Sequence, residues 1–302
     1  MRSGCSTGHC PGIFDPGEDK EETGGFRRDQ EDLKMKAAVT AIMGMLGACF
    51  GSYLLCVGER LAKKEKVIRD SSVCPSCGHR LSLPDLIPVI SWVLLRGRCR
   101  YCKSRIPIRH IVTEILLAAV FILLYARFGL GIRFFQGAVL GIFLFTASVS
   151  DIISGEVDNR LLVIPCFIWI VTGKILPYIM VWEDCENPKE ELLKTLLEGA
   201  MHVLLATVLC IVLLVSALFL ELIRKKTVMG GADIKAFFLI CLYLPLISIL
   251  NMLVLTSVLS LIMAILDTFV RRRKPSGMHK TVPYVPILSG AAMVSFLTQR
   301  LL

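Results

Sequence analysis

The chain has 302 residues, of which 54% are hydrophobic and 20% charged, with a formal net charge of +9. Its apolar residues gather in runs too long for a soluble core, which excludes an ordinary globular enzyme and predicts an all-α protein that crosses a membrane several times. The positive balance needs no nucleic acid to explain it, because most of the excess lies in loops between those runs.

In chain order, residues 1–36 come first. They are rich in Gly, Asp and Glu, contain Pro11 and Pro16, and show no apolar periodicity, so they read as a disordered N-terminal extension. No apolar stretch precedes Ala37, so this is not a signal peptide, and a start at Met35 would remove it. Cys5 and Cys10 stand there without a partner pattern.

Eight apolar spans follow, at roughly 37–57, 111–127, 133–151, 161–181, 195–223, 236–249, 250–270 and 285–302. The run at 236–249 is short, and Pro245 and Asn251 make the turn between the sixth and seventh spans hard to place. The expected organisation is therefore the extension 1–36, a unit 37–127 with two spans joined by a loop 58–110, and a six-helix unit 128–302.

Charge asymmetry orients these spans. The segment 58–110 holds twelve Lys and Arg against four acids, Glu59, Glu65, Asp70 and Asp85, and is expected on the cytoplasmic side. Alternation then puts Asp151 inside, the acidic loop Glu183-Asp184-Cys185-Glu186 outside, and Arg224-Lys225-Lys226, Asp233 and Arg271-Arg272-Arg273-Lys274 inside.

Within that first loop, Cys74-Pro75-Ser76-Cys77 and Cys99-Arg100-Tyr101-Cys102 form two CxxC knuckles separated by 21 residues. This is the spacing by which four thiolates close a tetrahedral zinc site, and Gly78 and Gly97 suit the tight turns it needs. Four protein ligands leave no open position, so Cys74, Cys77, Cys99 and Cys102 are expected to hold a structural zinc; two disulfides or free thiols are the alternative, and a reducing compartment argues against them. Cys49, Cys56, Cys166, Cys185, Cys210 and Cys241 read as small hydrophobes in or beside spans.

Two aspartates carry the chemistry: Asp151 closes the third span, and Asp233 follows Gly230-Gly231-Ala232 just before the sixth. An ionisable group at membrane depth is costly and is retained for chemistry, transport or pairing. Two carboxylates that share a proton can act as base and acid in turn and hydrolyse a peptide bond with water. A membrane aspartyl protease is the first reading. A transporter using Asp151, Asp233 and Glu114 as proton or cation ligands is an alternative, as is a non-enzymatic scaffold recruiting a partner through the cysteine loop.

Several motifs resemble those of bacterial type IV prepilin peptidases, also called prepilin leader peptidases, of the GxGD aspartyl protease class. Gly51-Ser52 is similar to that family's opening Gly-Ser-Phe, the run from Cys74 to Glu114 to its zinc-bearing loop, and Pro283-Tyr284-Val285-Pro286 to its final-span motif. The resemblance covers residues 40–300 or so and maps the catalytic pair to Asp151 and Asp233. Val157-Asp158-Asn159 stands where the family has Ile-Pro-Asn or Ile-Pro-Asp, and Ala232 stands where it has the second Gly of GxGD. It implies an enzyme of the bacterial inner membrane that cuts prepilins and pilin-like proteins, with a short basic leader before an apolar helix, at the cytoplasmic face. It also implies methylation of the freed amine with S-adenosylmethionine, near the zinc loop. The expected partners are those substrates and the lipid bilayer.

Duller roles compete. Asp151 and Asp158 can cap the helix beginning near Asn159, Asp233 can be an interfacial cap, and Lys235 can snorkel. Glu114 can pair with Arg109 or His110 or line a second active site. Gly137 and Gly141 are expected to let helices pack closely beside Asp151.

Overall fold

A computed structural model of the chain describes residues 18–66, 72–181, 188–224, 230–273 and 284–299. The chain divides into two compact units, 1–42 and 43–302. In the first, the described residues from Glu18 onward are helical. The helix over 18–36 meets the expectation of a disordered extension with regular structure. The stretch is rich in charges of both signs and has no proline after Pro16; Gly24-Gly25 disfavours a helix by about 1 kcal/mol per residue but, unlike proline, removes no backbone donor.

The elements are α1 (Glu18–Ala62), a 3₁₀ turn (Leu83–Leu86), α2 (Ile90–Leu94), α3 (Ile108–Phe128), α4 (Ile132–Ser154) and α5 (Arg160–Ile170). A π-helical turn (Val171–Ile175) runs on into α6 (Leu176–Val181), and α7 (Pro188–Arg224), α8 (Gly231–Tyr243), α9 (Leu246–Arg273) and α10 (Val285–Leu297) complete the order. Among the described residues the only extended pairings are two isolated bridges, Val73 with Arg80 and Arg98 with Arg105. The protein is an all-α polytopic membrane protein.

Among the described residues, six helical segments are long and apolar enough to cross a bilayer: Gln30–Ala62, Ile108–Phe128, Ile132–Ser154, Arg160–Ile179, Lys189–Ile223 and Leu246–Met263. The other two expected spans are shorter. α8 and α10 have 13 residues each, about 20 Å of helix against the roughly 30 Å of a hydrocarbon core. The chain breaks at Leu244-Pro245, where proline cannot continue the α8 hydrogen bonding, so the sixth and seventh segments meet five residues earlier than the sequence pattern suggests.

Short helices are tolerated here because they are interior ones. Ala236, Phe237, Leu239 and Ile240 of α8 and Leu288, Ala291, Ala292 and Phe296 of α10 are all buried, and they pack with Leu140, Phe143 and Leu144 of α4 in the main core. α7 behaves oppositely and exposes apolar side chains around its circumference, as lipid-facing helices do.

Glycines let α1 lie against α3. A Cβ on Gly47 would fall 2.5 Å from the Leu117 carbonyl oxygen, and one on Gly51 would fall 2.6 Å from that of Thr113. Gly137 does serve close packing, since its Cβ would strike Leu124 and Phe296 at 2.6 Å each, but it lies far from Asp151, about 21 Å along α4. Gly141 has only ordinary contacts, with Met293 and Val120. The loops 183–186, 225–226 and residue 274, which carry much of the charge-based orientation, lie outside the described residues, as do Cys5, Cys10, Cys185 and Pro283.

Candidate active site and cysteine centre

Three helix ends meet at one end of the bundle. Asp151 sits one turn before the end of α4, which Gly155 terminates in the left-handed conformation by donating its N–H to the Asp151 carbonyl. Asp233 is in the first turn of α8, and Tyr284 and Val285 start α10. The N-termini of α8 and α10 thus face the carboxylates with the positive ends of their dipoles.

Asp151 and Asp233 are brought close enough for Asp233 to feel the Asp151 charge. The backbone amide of Val285 reaches the Asp151 carboxylate, while its Oδ2 is buried with no hydrogen-bond partner among the described residues. The Gly230 N–H donates to Asp233 Oδ2 at 3.0 Å. Asp233 therefore is a helix cap, as the duller reading held, yet that bond uses one oxygen of two. Tyr284 is close enough to feel the Asp233 charge as well.

The departures from the family pattern cost little backbone strain. Ala232 is an ordinary buried helical residue, and neither it nor Gly230 or Gly231 adopts a positive φ, so no second glycine is required there. Asp158 accepts the Arg160 N–H at 3.0 Å and so caps the start of α5. Lys235 donates to the Val157 carbonyl at 2.9 Å rather than snorkelling freely. A cavity of about 250 Å³, walled by Ser150, Ser154, Asp158, Lys235 and the end of α1, lies on the next face of α4. Asp151 is not in its wall, because successive helical residues turn by about 100°.

The cysteine loop lies at the same end of the bundle, since Lys64 pairs with Glu156 at 3.7 Å and Ala62 shares the cavity with Ser154. The four sulfurs of Cys74, Cys77, Cys99 and Cys102 lie within 4.8 Å of one another and can hold a metal ion. Two copies of one backbone device place them. Cys74 N–H donates to His79 O and Gly78 N–H to Cys74 O; 25 residues later Cys99 N–H donates to Ser104 O and Lys103 N–H to Cys99 O. Gly78 (φ 68°) and Lys103 (φ 59°) occupy the same left-handed position after the second cysteine of each knuckle. Gly97 (φ 65°) accepts the Ile106 N–H at 2.8 Å, as Ser72 accepts that of Leu81 in the first knuckle, and a Cβ there would hit the Trp92 ring at 2.8 Å.

Backbone amides favour thiolates in this loop. The Cys77 and Ser76 amides bring the Cys74 thiol down to about 6. Cys77, although the His79 amide favours its thiolate, is pushed up to about 11 by desolvation and by the Cys74 and Cys102 sulfurs.

Glu114 is buried, and its carboxylate accepts the Val89 N–H at 2.7 Å. Arg109 pairs with Glu59 instead, at 3.2 Å. Sequence reasoning missed this tether, and also missed Asp85, whose carboxylate accepts from Ser82 Oγ (2.7 Å) and Arg100 Nε (2.6 Å). The repeat of CPSCGHR in CRYCKSR was the available signal for the paired knuckles.

The model of the bacterial peptidase A24 N-terminal domain matches residues 45–128, and that of the type IV leader peptidase family matches residues 138–265. The chain belongs to the type IV leader peptidase family. It is similar to prepilin leader peptidase/N-methyltransferases of Myxococcus xanthus (40% identical over 85 residues, 28% of this chain and 25% of that protein), Bacillus subtilis (29% over 123 residues, 41% and 50%) and Vibrio cholerae (29% over 169 residues, 55% and 58%). The alignments thus span between a quarter and somewhat over half the length of these relatives. No solved structure matches the chain.

Proposed function

We propose that this protein is a membrane aspartyl endopeptidase that removes the short basic leader of prepilins and pilin-like proteins at the cytoplasmic face of the bacterial inner membrane. The observation that carries this reading is the meeting of Asp151 and Asp233 at adjoining helix ends in a chain of the leader peptidase family.

One carboxylate is ionised and the other protonated. The ionised one takes a proton from water as the oxygen attacks the scissile carbonyl carbon, and the protonated one donates to the carbonyl oxygen. Collapse of the tetrahedral species breaks the C–N bond, and the amine leaves with a proton returned from the pair. The Val285 amide holds the Asp151 carboxylate in orientation and the Gly230 amide that of Asp233. A substrate whose apolar helix lies beside the spans presents its leader to this end of the bundle.

The cysteine cluster suits a structural zinc. Zinc–sulfur bonds of about 2.3 Å in a tetrahedron set sulfurs about 3.8 Å apart. Cys74 and Cys102 stand at 3.8 Å. The four thiolates would hold the ion and close the loop around it. Methylation of the new amine by S-adenosylmethionine is extended to this chain from its relatives' name, with no residue assigned to that donor.

Mass spectrometry of a co-expressed pilin-like substrate tests the reading. A single new N-terminus, absent with Asp151→Asn, is the expected result; an intact leader with well-inserted enzyme would overturn it.

A further inference from the structure

Residues 83–94 carry an apolar stripe that nothing among the described residues covers. Leu83 and Leu86 on the 3₁₀ turn, Ile87 after it, and Ile90, Val93 and Leu94 on α2 are all exposed, Leu83 at 83% and Leu94 at 76%. The opposite side of the segment is fastened inward. Trp92 packs on Gly97, and Asp85 is bound to Arg100 beside the second knuckle. The stripe is therefore held outward by a folded scaffold.

Its depth follows from Glu114. That carboxylate lies six residues, about 9 Å, beyond Ile108, the first residue of α3, and three residues, about 4.5 Å, beyond the start of the apolar run at 111. Val89, in the middle of the stripe, gives its N–H to that carboxylate at 2.7 Å. A hydrogen bond of this length cannot be made by a loop standing off in solution. Val89 also takes a φ of 62°, rare for a β-branched residue, at the turn between Pro88 and α2.

Charge completes the picture. Between residues 72 and 105 the only acid is Asp85, already bound to Arg100, while Arg80, Arg96, Arg98, Lys103 and Arg105 are exposed. An apolar stripe flanked by cations is the composition of a segment lying in an anionic lipid interface.

We propose that residues 83–94 form an interfacial element whose apolar stripe enters the headgroup–acyl boundary of the bilayer, anchored by the Glu114–Val89 bond. The cysteine loop is then a membrane-seated platform, with its knuckle tips facing water.

The test uses the full chain carrying the photoreactive residue p-benzoylphenylalanine at Leu94 or, as control, at exposed Ser76, reconstituted in vesicles of phosphatidylcholine and phosphatidylglycerol. Leu94 makes few contacts, so the probe should leave the helical circular dichroism unchanged. Irradiation and mass spectrometry should find lipid adducts at least tenfold more abundant at Leu94 than at Ser76, rising severalfold with the anionic lipid fraction. Equal lipid yields at the two positions would overturn the proposal. So would adducts at Leu94 that pass from lipid to an added pilin-like protein, which would make the stripe a substrate dock.

Discussion

The Lys235 ammonium donates to the Val157 carbonyl at 2.9 Å, joining the first turn of α8 to the loop that follows α4. Asp233 lies two residues before the donor and Asp151 six residues before the acceptor, so this bond helps set the separation of the two carboxylates. Lys235→Met removes it with similar side-chain length. Leader cleavage should fall about tenfold, the equivalent of roughly 1.4 kcal/mol and the scale of one charge-assisted bond. Lys235→Arg should recover part of the loss. Unchanged kcat in Lys235→Met, measured on a detergent-solubilised enzyme, would show that the aspartates are placed without it.

Asp151→Asn and Asp233→Asn should each reduce cleavage by about 10³-fold or more, because a carboxamide cannot exchange the proton that acid–base catalysis requires. Asp158→Asn should stay within about threefold of the unmodified enzyme, since Asn can also cap α5. Quantitative mass spectrometry of the new N-terminus reads all three. A dead Asp158→Asn beside an active Asp151→Asn would reverse the assignment.

Much of this was legible in the sequence, and the misses have physical causes. Long apolar runs reveal lipid-facing helices such as α7, whose neighbours are solvent-like tails. They say less about α8 and α10, which are surrounded by protein and so escape the length a bilayer imposes. The cysteine spacing announced the four-sulfur cluster because ligand geometry acts over a few residues. The Glu114–Val89 and Asp85–Arg100 contacts join residues 25 and 15 positions apart, and no local pattern encodes such a pairing. Glycine carried hidden information too: Gly47 and Gly51 mark the α1–α3 approach as surely as Gly137 marks another.

The cysteine loop should depend on its metal. Cys77→Ser or Cys102→Ser should lower the bound zinc from one per chain to a small fraction and expose the amides of residues 72–105 to rapid exchange, because structural zinc supplies much of a small loop's folding free energy. Acid should do likewise, as protons compete for the thiolates. Elemental analysis of the purified protein decides it, and full zinc in Cys77→Ser would sink the four-ligand site.

Asp85 gives the loop a second pH dependence. The Ser82 hydroxyl, and after it Arg100, hold its carboxyl below the usual carboxylate range. A lowered folded value means that the stabilisation is fully present above the unfolded value of about 4 and fades as pH drops through the folded one. Asp85→Asn should therefore speed amide exchange around residues 82–100 at pH 7, with the difference from the unmodified chain shrinking below about pH 4. A difference that persists unchanged into strong acid would place the effect in packing rather than charge.

Glu114 separates a tether from a second chemical site. Glu114→Gln keeps an acceptor for the Val89 N–H but makes it neutral, and charge-assisted bonds are about twice as strong as neutral ones. Glu114→Ala leaves that N–H buried and unpaired at a cost of about 1–3 kcal/mol. Hydrogen exchange over residues 86–95 should accordingly rise slightly in Glu114→Gln and by tenfold or more in Glu114→Ala, while leader cleavage stays within about threefold in both, since Asp151 and Asp233 stand on other helices. Supplying precleaved pilin and labelled S-adenosylmethionine adds the discriminating measurement. If methyl transfer tracks the exchange rates, being modestly reduced in Glu114→Gln and largely lost in Glu114→Ala, the carboxylate acts by holding the loop. If transfer vanishes in Glu114→Gln with exchange unchanged, its charge takes part in the chemistry and the tether is incidental.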